Sequence, residues 1–193
     1  MQLRTDIHQR STRKGQFARL SGRAFTLIEV LIVVVILGIL ATIVIPQFSN
    51  ASHQARENTL KDDLRYLRLQ VQVYKAQHRD TAPGYPGGDR SAPPTENDFV
   101  DQMTRFSNEA SGTSGTASAT FKFGPYLSRV PPNPINGEST VSVVANGQAM
   151  PTASDLPLMN GSTPFGWIYK PQTQEWLANL DGSDSNGTPY ASY

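Results

Sequence analysis

Residues 25–45 read FTLIEVLIVVVILGILATIVI, and this stretch decides the architecture of the chain. It contains one charged side chain, Glu29. An α-helix of about 20 apolar residues crosses a hydrocarbon core of roughly 30 Å. A core helix or strand buried inside the protein is the alternative, but a run this apolar would need a large protein around it. The sequence therefore predicts a membrane-spanning helix over residues 25–46.

Charge is distributed unevenly on the two sides of the apolar segment. Residues 1–24 carry a net charge of +5 and residues 25–193 a net charge of −4. Positive charge beside a membrane segment stays on the cytoplasmic side, which predicts a single-pass protein with a cytoplasmic N-terminus. The acidic body has no basic stripe, and this argues against binding to nucleic acid.

Residues 47–79 contain neither glycine nor proline and show helical periodicity. Because proline lacks the N–H of a helical hydrogen bond, we expect Pro46 to kink or end the preceding helix. The charged residues between Arg56 and Arg68 fall largely outside the apolar stripe. The pattern predicts an amphipathic helix that packs through its apolar stripe. The stripe consists of Leu60, Leu64, Leu67, Val71 and Tyr74.

Residues 80–193 have the composition of a loop-rich domain. The pair Thr95 and Asp98 resembles a capping box and predicts a short helix over about 96–107. The fold class is predicted to be α+β, with a long N-terminal helix packed on a small C-terminal antiparallel sheet.

Two stretches of this domain favour β-structure. TVSVVA, residues 140–145, predicts a strand. Residues 167–180 consist of two β-favouring runs around Pro171–Gln174, which is typical of a hairpin.

The residues just before and inside the apolar run carry a specific motif. Gly22-Arg23-Ala24-Phe25-Thr26-Leu27-Ile28-Glu29 resembles the prepilin leader junction of type IV pilins and type II secretion pseudopilins. The resemblance implies that a prepilin peptidase cuts between Ala24 and Phe25 and that Phe25 becomes the N-methylated first residue. Residues 1–24 are then a cleaved basic leader. The family usually has glycine before the cut, where this chain has Ala24.

Glu29 lies inside the apolar segment, where an unpaired carboxylate costs several kcal/mol. The resemblance implies that it pairs with the N-terminal amine of a neighbouring subunit and sets the axial register of a filament. The alternative is that Glu29 lies near the membrane interface and reaches water. The resemblance also implies partial melting between Gly38 and Pro46 in a filament. In the alternative, Gly38 is a helix-packing notch and Pro46 marks the membrane exit.

Oxygen-rich side chains are concentrated in residues 181–187, DGSDSNG. Residues 124–134 and 166–182 are similar to the globular domain of the major pseudopilin, and the resemblance implies a calcium site in the C-terminal region. Asp181 and Asp184 are the predicted ligands, since calcium prefers hard oxygen ligands in a flexible loop. A solvated polar turn is the alternative, and no other cofactor is expected.

Together these features predict a structural subunit of a pilus-like filament and not an enzyme, because no catalytic motif occurs in the sequence. The subunits would form a helical homopolymer through their N-terminal helices. The resemblance adds minor pilin-like subunits, the prepilin peptidase, an inner-membrane assembly platform and an ATPase as partners. It places the subunit in the inner membrane with a periplasmic C-terminal domain, and then in an extracytoplasmic filament.

Three functional interpretations remain open. A type II secretion pseudopilin is favoured, because many major type IV pilins carry a C-terminal cysteine pair and this chain has no cysteine. A type IV pilin for adhesion, motility or DNA uptake is the second. The third is a single-pass anchored domain that never polymerises.

Overall fold

A computed structural model of the chain describes residues 25–193. The leader predicted for residues 1–24, including Ala24, lies outside the described residues. The chain divides into two compact units, and the boundary between them falls between Ile45 and Pro46. The second unit, residues 46–193, contains the folded domain with all the strands.

The described residues form two α-helices, three short 3-10 helices and seven strands. Helix α1 is Leu27–Gln77 and helix α2 is Glu96–Thr104; the 3-10 helices are Pro86–Gly88, Ala153–Asp155 and Tyr190–Ser192. The strands are β1 (Phe106–Ser107), β2 (Thr113–Ser114), β3 (Val141–Val143), β4 (Met159–Asn160), β5 (Thr163–Pro164), β6 (Trp167–Lys170) and β7 (Glu175–Ala178).

The N-terminal part of α1 is apolar on every face. Residues 25–45 are all exposed, and the most apolar window of the helix has a mean hydropathy of 3.1. By length and composition, this helix can therefore cross a membrane. From the sequence, Pro46 was expected either to kink or to end the helix. In the structure Pro46 lies within α1 and does not end it.

The C-terminal part of α1 provides one wall of the core. All five residues of the predicted stripe, from Leu60 to Tyr74, are fully buried, so the amphipathic interpretation is confirmed. The helix ends at Gln77, two residues before the expected end at residue 79. Arg79 and Asp80 follow with positive φ angles of 52° and 60°, a left-handed conformation in which an α-helix cannot continue.

The main sheet has three strands in the order β3-β6-β7. The predicted hairpin is confirmed, because β6 and β7 pair in antiparallel from Trp167–Ala178 to Lys170–Glu175. Strand β3, inside the predicted stretch 140–145, pairs with β6 in parallel. The sheet is therefore mixed and not purely antiparallel. A parallel pair requires a long crossover, and the segment between β3 and β6 provides one.

Helix α2 begins where the capping box predicts. Thr95 Oγ1 accepts a hydrogen bond from the Asp98 amide at 3.1 Å. The helix ends at Thr104, earlier than expected, and Phe106 belongs to β1. Its buried Phe99 packs against the rings of Tyr169 and Trp176, with centroids 5.0 and 5.4 Å away. These aromatic contacts join α2 to the β6–β7 hairpin.

The proline-rich segment 124–134 closes the core between α2 and β6. The amides of Tyr126 and Leu127 both donate to the Met103 carbonyl at 2.9 Å. At the other end, the Trp167 indole N–H donates to the Pro131 carbonyl at 2.8 Å. The segment thus links α2 to strand β6 of the hairpin. The other strand of the hairpin, β7, leads directly into the C-terminal residues.

Candidate functional site

The start of α1 forms a reciprocal cap around Glu29. Thr26 Oγ1 accepts a hydrogen bond from the Glu29 amide at 3.2 Å, and the Thr26 amide donates to Glu29 Oε2 at 3.4 Å. This is the geometry of a capping box, which satisfies two N–H groups at a helix start. No ion pair joins Glu29 to any other residue in the range 25–193. The hydrogen bonds of the Glu29 carboxylate go to the amide and the hydroxyl of Thr26, at the start of the same helix.

Phe25, the expected first residue after processing, is 79% exposed. Gly38 lies on the apolar part of α1, and a methyl group added to it would meet no atom within 4 Å. Gly38 therefore makes no close contact within the described chain, and the packing-notch interpretation would require a neighbouring helix. The roles of Phe25, Glu29, Gly38 and Pro46 in processing and assembly stay predictions.

The C-terminal loop, residues 181–193, forms a second site, where it lies against α1. Lys61 Nζ is 3.1 Å from Asp184 Oδ2, and the Asp184 side chain is 1% exposed. Glu57 accepts hydrogen bonds from the Ser185 amide at 2.9 Å and the Ser185 hydroxyl at 2.6 Å. The Arg68 guanidinium donates to the Tyr193 carbonyl. Three side chains on one helix therefore hold the loop.

The environment of Asp184 strongly favours its ionised form. A hydrogen bond from the Tyr193 hydroxyl, with further donors from the Thr188 amide, Lys61 and the Asn186 amide, holds the pKa of this carboxyl well below its usual range. Contacts with Tyr193 first and Asp184 second raise the pKa of the Lys61 amine. At neutral pH the pair is therefore a salt bridge with both partners charged.

The structure separates the two predicted calcium ligands by environment. Asp184 is buried and Asp181 is exposed. Among residues 25–193, no group of three or more His, Asp and Glu side chains is arranged to hold a metal ion. Calcium at Asp181 and Asp184 stays a prediction, and the lysine beside Asp184 is an argument against it.

The loop-holding residues of α1 were not predicted from the sequence. Periodicity placed Glu57, Lys61 and Arg68 outside the apolar stripe, but Glu57 is 6% exposed and Lys61 and Arg68 are half-buried. These positions border the stripe of leucines on one side. The only local signal for these contacts was the pair of opposite charges at Glu57 and Lys61, four residues apart at the edge of the apolar stripe.

The N-terminal part of the chain is similar to known proteins. Residues 20–45 match the prokaryotic N-terminal methylation motif. The chain is also 45% identical over 51 residues to the type II secretion system core protein G of Pseudomonas aeruginosa, which covers 26% of this chain and 36% of that protein. It is 38% identical over 53 residues to the type II secretion system core protein G of Dickeya chrysanthemi, covering 28% of this chain and 35% of that protein.

These matches confirm the resemblance to the pilin and pseudopilin family for the N-terminal part of the chain. They span about a third of the length of the two relatives. No solved structure matches the chain. The similarity inferred for residues 124–134 and 166–182 stays a prediction.

Proposed function

We propose that this protein is a pseudopilin, a structural subunit of the filament of a type II secretion system, and that it has no catalytic role. The observation that carries the proposal is the methylation motif at residues 20–45, whose apolar helix is exposed along residues 25–45. An apolar helix surface of this length requires either lipid or other helices around it.

The proposed mechanism begins with the basic leader, which retains the N-terminus in the cytoplasm while the folded domain lies in the periplasm. The prepilin peptidase then removes residues 1–24 and leaves an amine at Phe25. In the filament this amine pairs with Glu29 of the adjacent subunit, since a buried carboxylate needs a cationic partner. Repetition of the same contact produces a helical polymer.

The apolar helices form the centre of this polymer and the polar domains its surface. Extraction of each subunit from the bilayer moves an apolar helix from lipid into a helix bundle, where packing replaces lipid contact. We expect an inner-membrane platform and a cytoplasmic ATPase to drive this step, and minor pilin-like subunits to share the filament.

The first experiment is the intact mass and N-terminal sequence of the protein recovered from its native membrane. We expect a chain that begins at N-methylated Phe25. An intact Met1, or a cut beyond Ile45, would contradict the proposal and favour an anchored or secreted domain.

The second experiment separates processing from assembly. We expect the Glu29→Gln variant to insert and to be processed but to yield few filaments in a shearing or cross-linking assay. Asp62→Asn, which removes an exposed carboxylate from the same helix, is the matched control and should assemble normally. Filaments of Glu29→Gln at the wild-type level would exclude the proposed pairing.

A further inference from the structure

The contact between Lys61 and Asp184 joins residues 123 positions apart in the sequence. It lies where the C-terminal loop returns to α1, beside the second contact of the loop at Glu57. Both contacts lie within the unit formed by residues 46–193. The loop is therefore anchored to the helix by charged side chains at two successive turns.

The Asp184 carboxylate already has all the donors that it can accept. Oδ1 accepts from the Asn186 amide at 2.9 Å and from the Thr188 amide at 2.8 Å. Oδ2 accepts from Lys61 Nζ at 3.1 Å and from the Tyr193 hydroxyl at 2.5 Å. An ionised carboxylate offers about four lone-pair positions, and here all four are used.

The Lys61 ammonium contacts two complementary groups. Besides Asp184 it lies 4.4 Å from the centroid of the Tyr193 ring, in the geometry of a cation–π contact. The backbone carbonyl of Tyr193 accepts from Arg68, which fixes the tyrosine over the lysine. One tyrosine thus contacts both members of the ion pair.

These groups do not fit a calcium site. Calcium takes about six to eight oxygen ligands, several of them carboxylates or carbonyls. At this position the Asp184 carboxylate has no free lone pair and a lysine lies 3.1 Å away, and the nearby buried carboxylate of Glu57 already accepts hydrogen bonds from Ser185. A calcium ion would have to displace Lys61 and overcome the repulsion between two cations.

We propose that the Lys61 ammonium is the cation that orders the C-terminal loop, so that the folded domain needs no divalent metal. In place of metal coordination, the loop is held by the ion pair of Lys61 with Asp184, the hydrogen bond from the Tyr193 hydroxyl to Asp184, and the cation–π contact of Lys61 with the Tyr193 ring. The inference concerns the folding of residues 46–193 and does not depend on filament formation.

The test uses the full chain in detergent micelles, and it measures the melting temperature and the hydrogen exchange of the Asn186 and Thr188 amides. For the wild-type protein we expect the same melting temperature in excess chelator and in excess calcium. A fall on chelation that calcium restores would overturn the proposal, whatever the variants do.

The variant Lys61→Met retains the aliphatic stem and removes the charge. We expect a melting temperature lower by several degrees and faster exchange of both amides. The matched control is Arg65→Met, which removes an exposed arginine that pairs with Asp62 on the same helix and should change neither quantity. Wild-type melting and amide exchange in Lys61→Met would overturn the proposal.

Discussion

The imidazole of His78 is stacked on the ring of Tyr74, with centroids 3.7 Å apart and planes inclined by 4°. His78 is 1% exposed, and both its nitrogens have partners: Nδ1 is 2.6 Å from the Tyr74 carbonyl and Nε2 is 2.9 Å from Ser107 Oγ. A carbonyl only accepts, so Nδ1 carries the proton and the Ser107 hydroxyl donates to Nε2. The neutral form therefore satisfies every polar atom of the ring.

The first prediction is a loss of stability when His78 becomes protonated. Burial lowers the pKa of His78 from its ordinary value of 6.5, an effect that the Tyr74 carbonyl, the backbone of Asn108 and the charge of Glu109 oppose in part. Because the folded-state pKa is the lower one, the unfolded chain binds the proton first. The stabilisation is present above about pH 6.5 and is lost as the pH falls below that value.

Denaturant unfolding of the full chain at a series of pH values tests this prediction. We expect His78→Gln to remove part of the dependence of the free energy of unfolding on pH below about 6.5. The matched variant His53→Gln, at an exposed position of α1, should retain the wild-type dependence. Equal pH profiles for His78→Gln and the wild-type protein would contradict the prediction.

The second prediction compares two leucines of α1 that are two positions apart. Leu67 is fully buried, whereas Leu69 is 59% exposed. Truncation of a buried leucine removes its transfer free energy and leaves a cavity, so Leu67→Ala should lower the free energy of unfolding by about 2–5 kcal/mol. Leu69→Ala should change it by less than about 0.5 kcal/mol. Equal losses in a denaturant titration would show that the helix packs in another orientation.

Local patterns were enough to predict the stripe on α1, the capping box at Thr95 and the hairpin of β6 and β7. In each case the signal and its structural consequence lie within a few residues of each other, so periodicity and turn chemistry carry the information. The parallel pairing of β3 with β6 was not predicted. It depends on a long crossover whose path is set by packing and not by any local motif.

The contacts that hold the C-terminal loop against α1 also could not be predicted from local sequence patterns. Periodicity placed Lys61 outside the apolar stripe but could not reveal its partner, because Asp184 lies 123 positions away. Asp184 was noticed only as one oxygen-rich residue of a polar turn. Its burial against the helix, and the tyrosine that covers both groups, arise from the tertiary fold.

The third prediction concerns Gly166, which lies just before β6 and is buried. A Cβ atom at this position would lie 2.0 Å from the Glu138 carbonyl oxygen, which belongs to the backbone and cannot rotate away. The Gly166 carbonyl also accepts a hydrogen bond from the Asn133 side chain at 2.9 Å. Gly166→Ala should therefore lower the free energy of unfolding by at least about 1–3 kcal/mol.

Gly115 provides the control for this substitution. A Cβ atom there would make an ordinary contact at 3.6 Å with the flexible end of the Arg105 side chain. Gly115→Ala should leave the denaturation midpoint near that of the wild-type protein, and a loss as large as that of Gly166→Ala would refute the steric explanation.

The fourth prediction concerns Glu57, whose buried carboxylate accepts from the Ser185 amide, the Ser185 hydroxyl and, at 3.4 Å, the Tyr190 hydroxyl. Hydrogen bonds to a charged group are worth about 1.5–3 kcal/mol. Glu57→Ala should therefore lower the free energy of unfolding by about that amount and expose the C-terminal loop to protease. Ser185→Ala should lower the free energy of unfolding by less than Glu57→Ala does. It removes only the hydroxyl hydrogen bond and leaves the bond from the Ser185 amide in place.

Asp62→Ala is the matched control for Glu57→Ala, because the Asp62 side chain is 73% exposed and pairs only with Arg65 on the helix surface. Exposed ion pairs contribute between about 0 and 1 kcal/mol, so this variant should stay close to the wild-type protein. If Glu57→Ala and Asp62→Ala unfold at the same denaturant concentration, Glu57 does not anchor the loop. If only Glu57→Ala is destabilised and its loop is cleaved faster, then the Glu57 contact with Ser185 anchors the C-terminal loop.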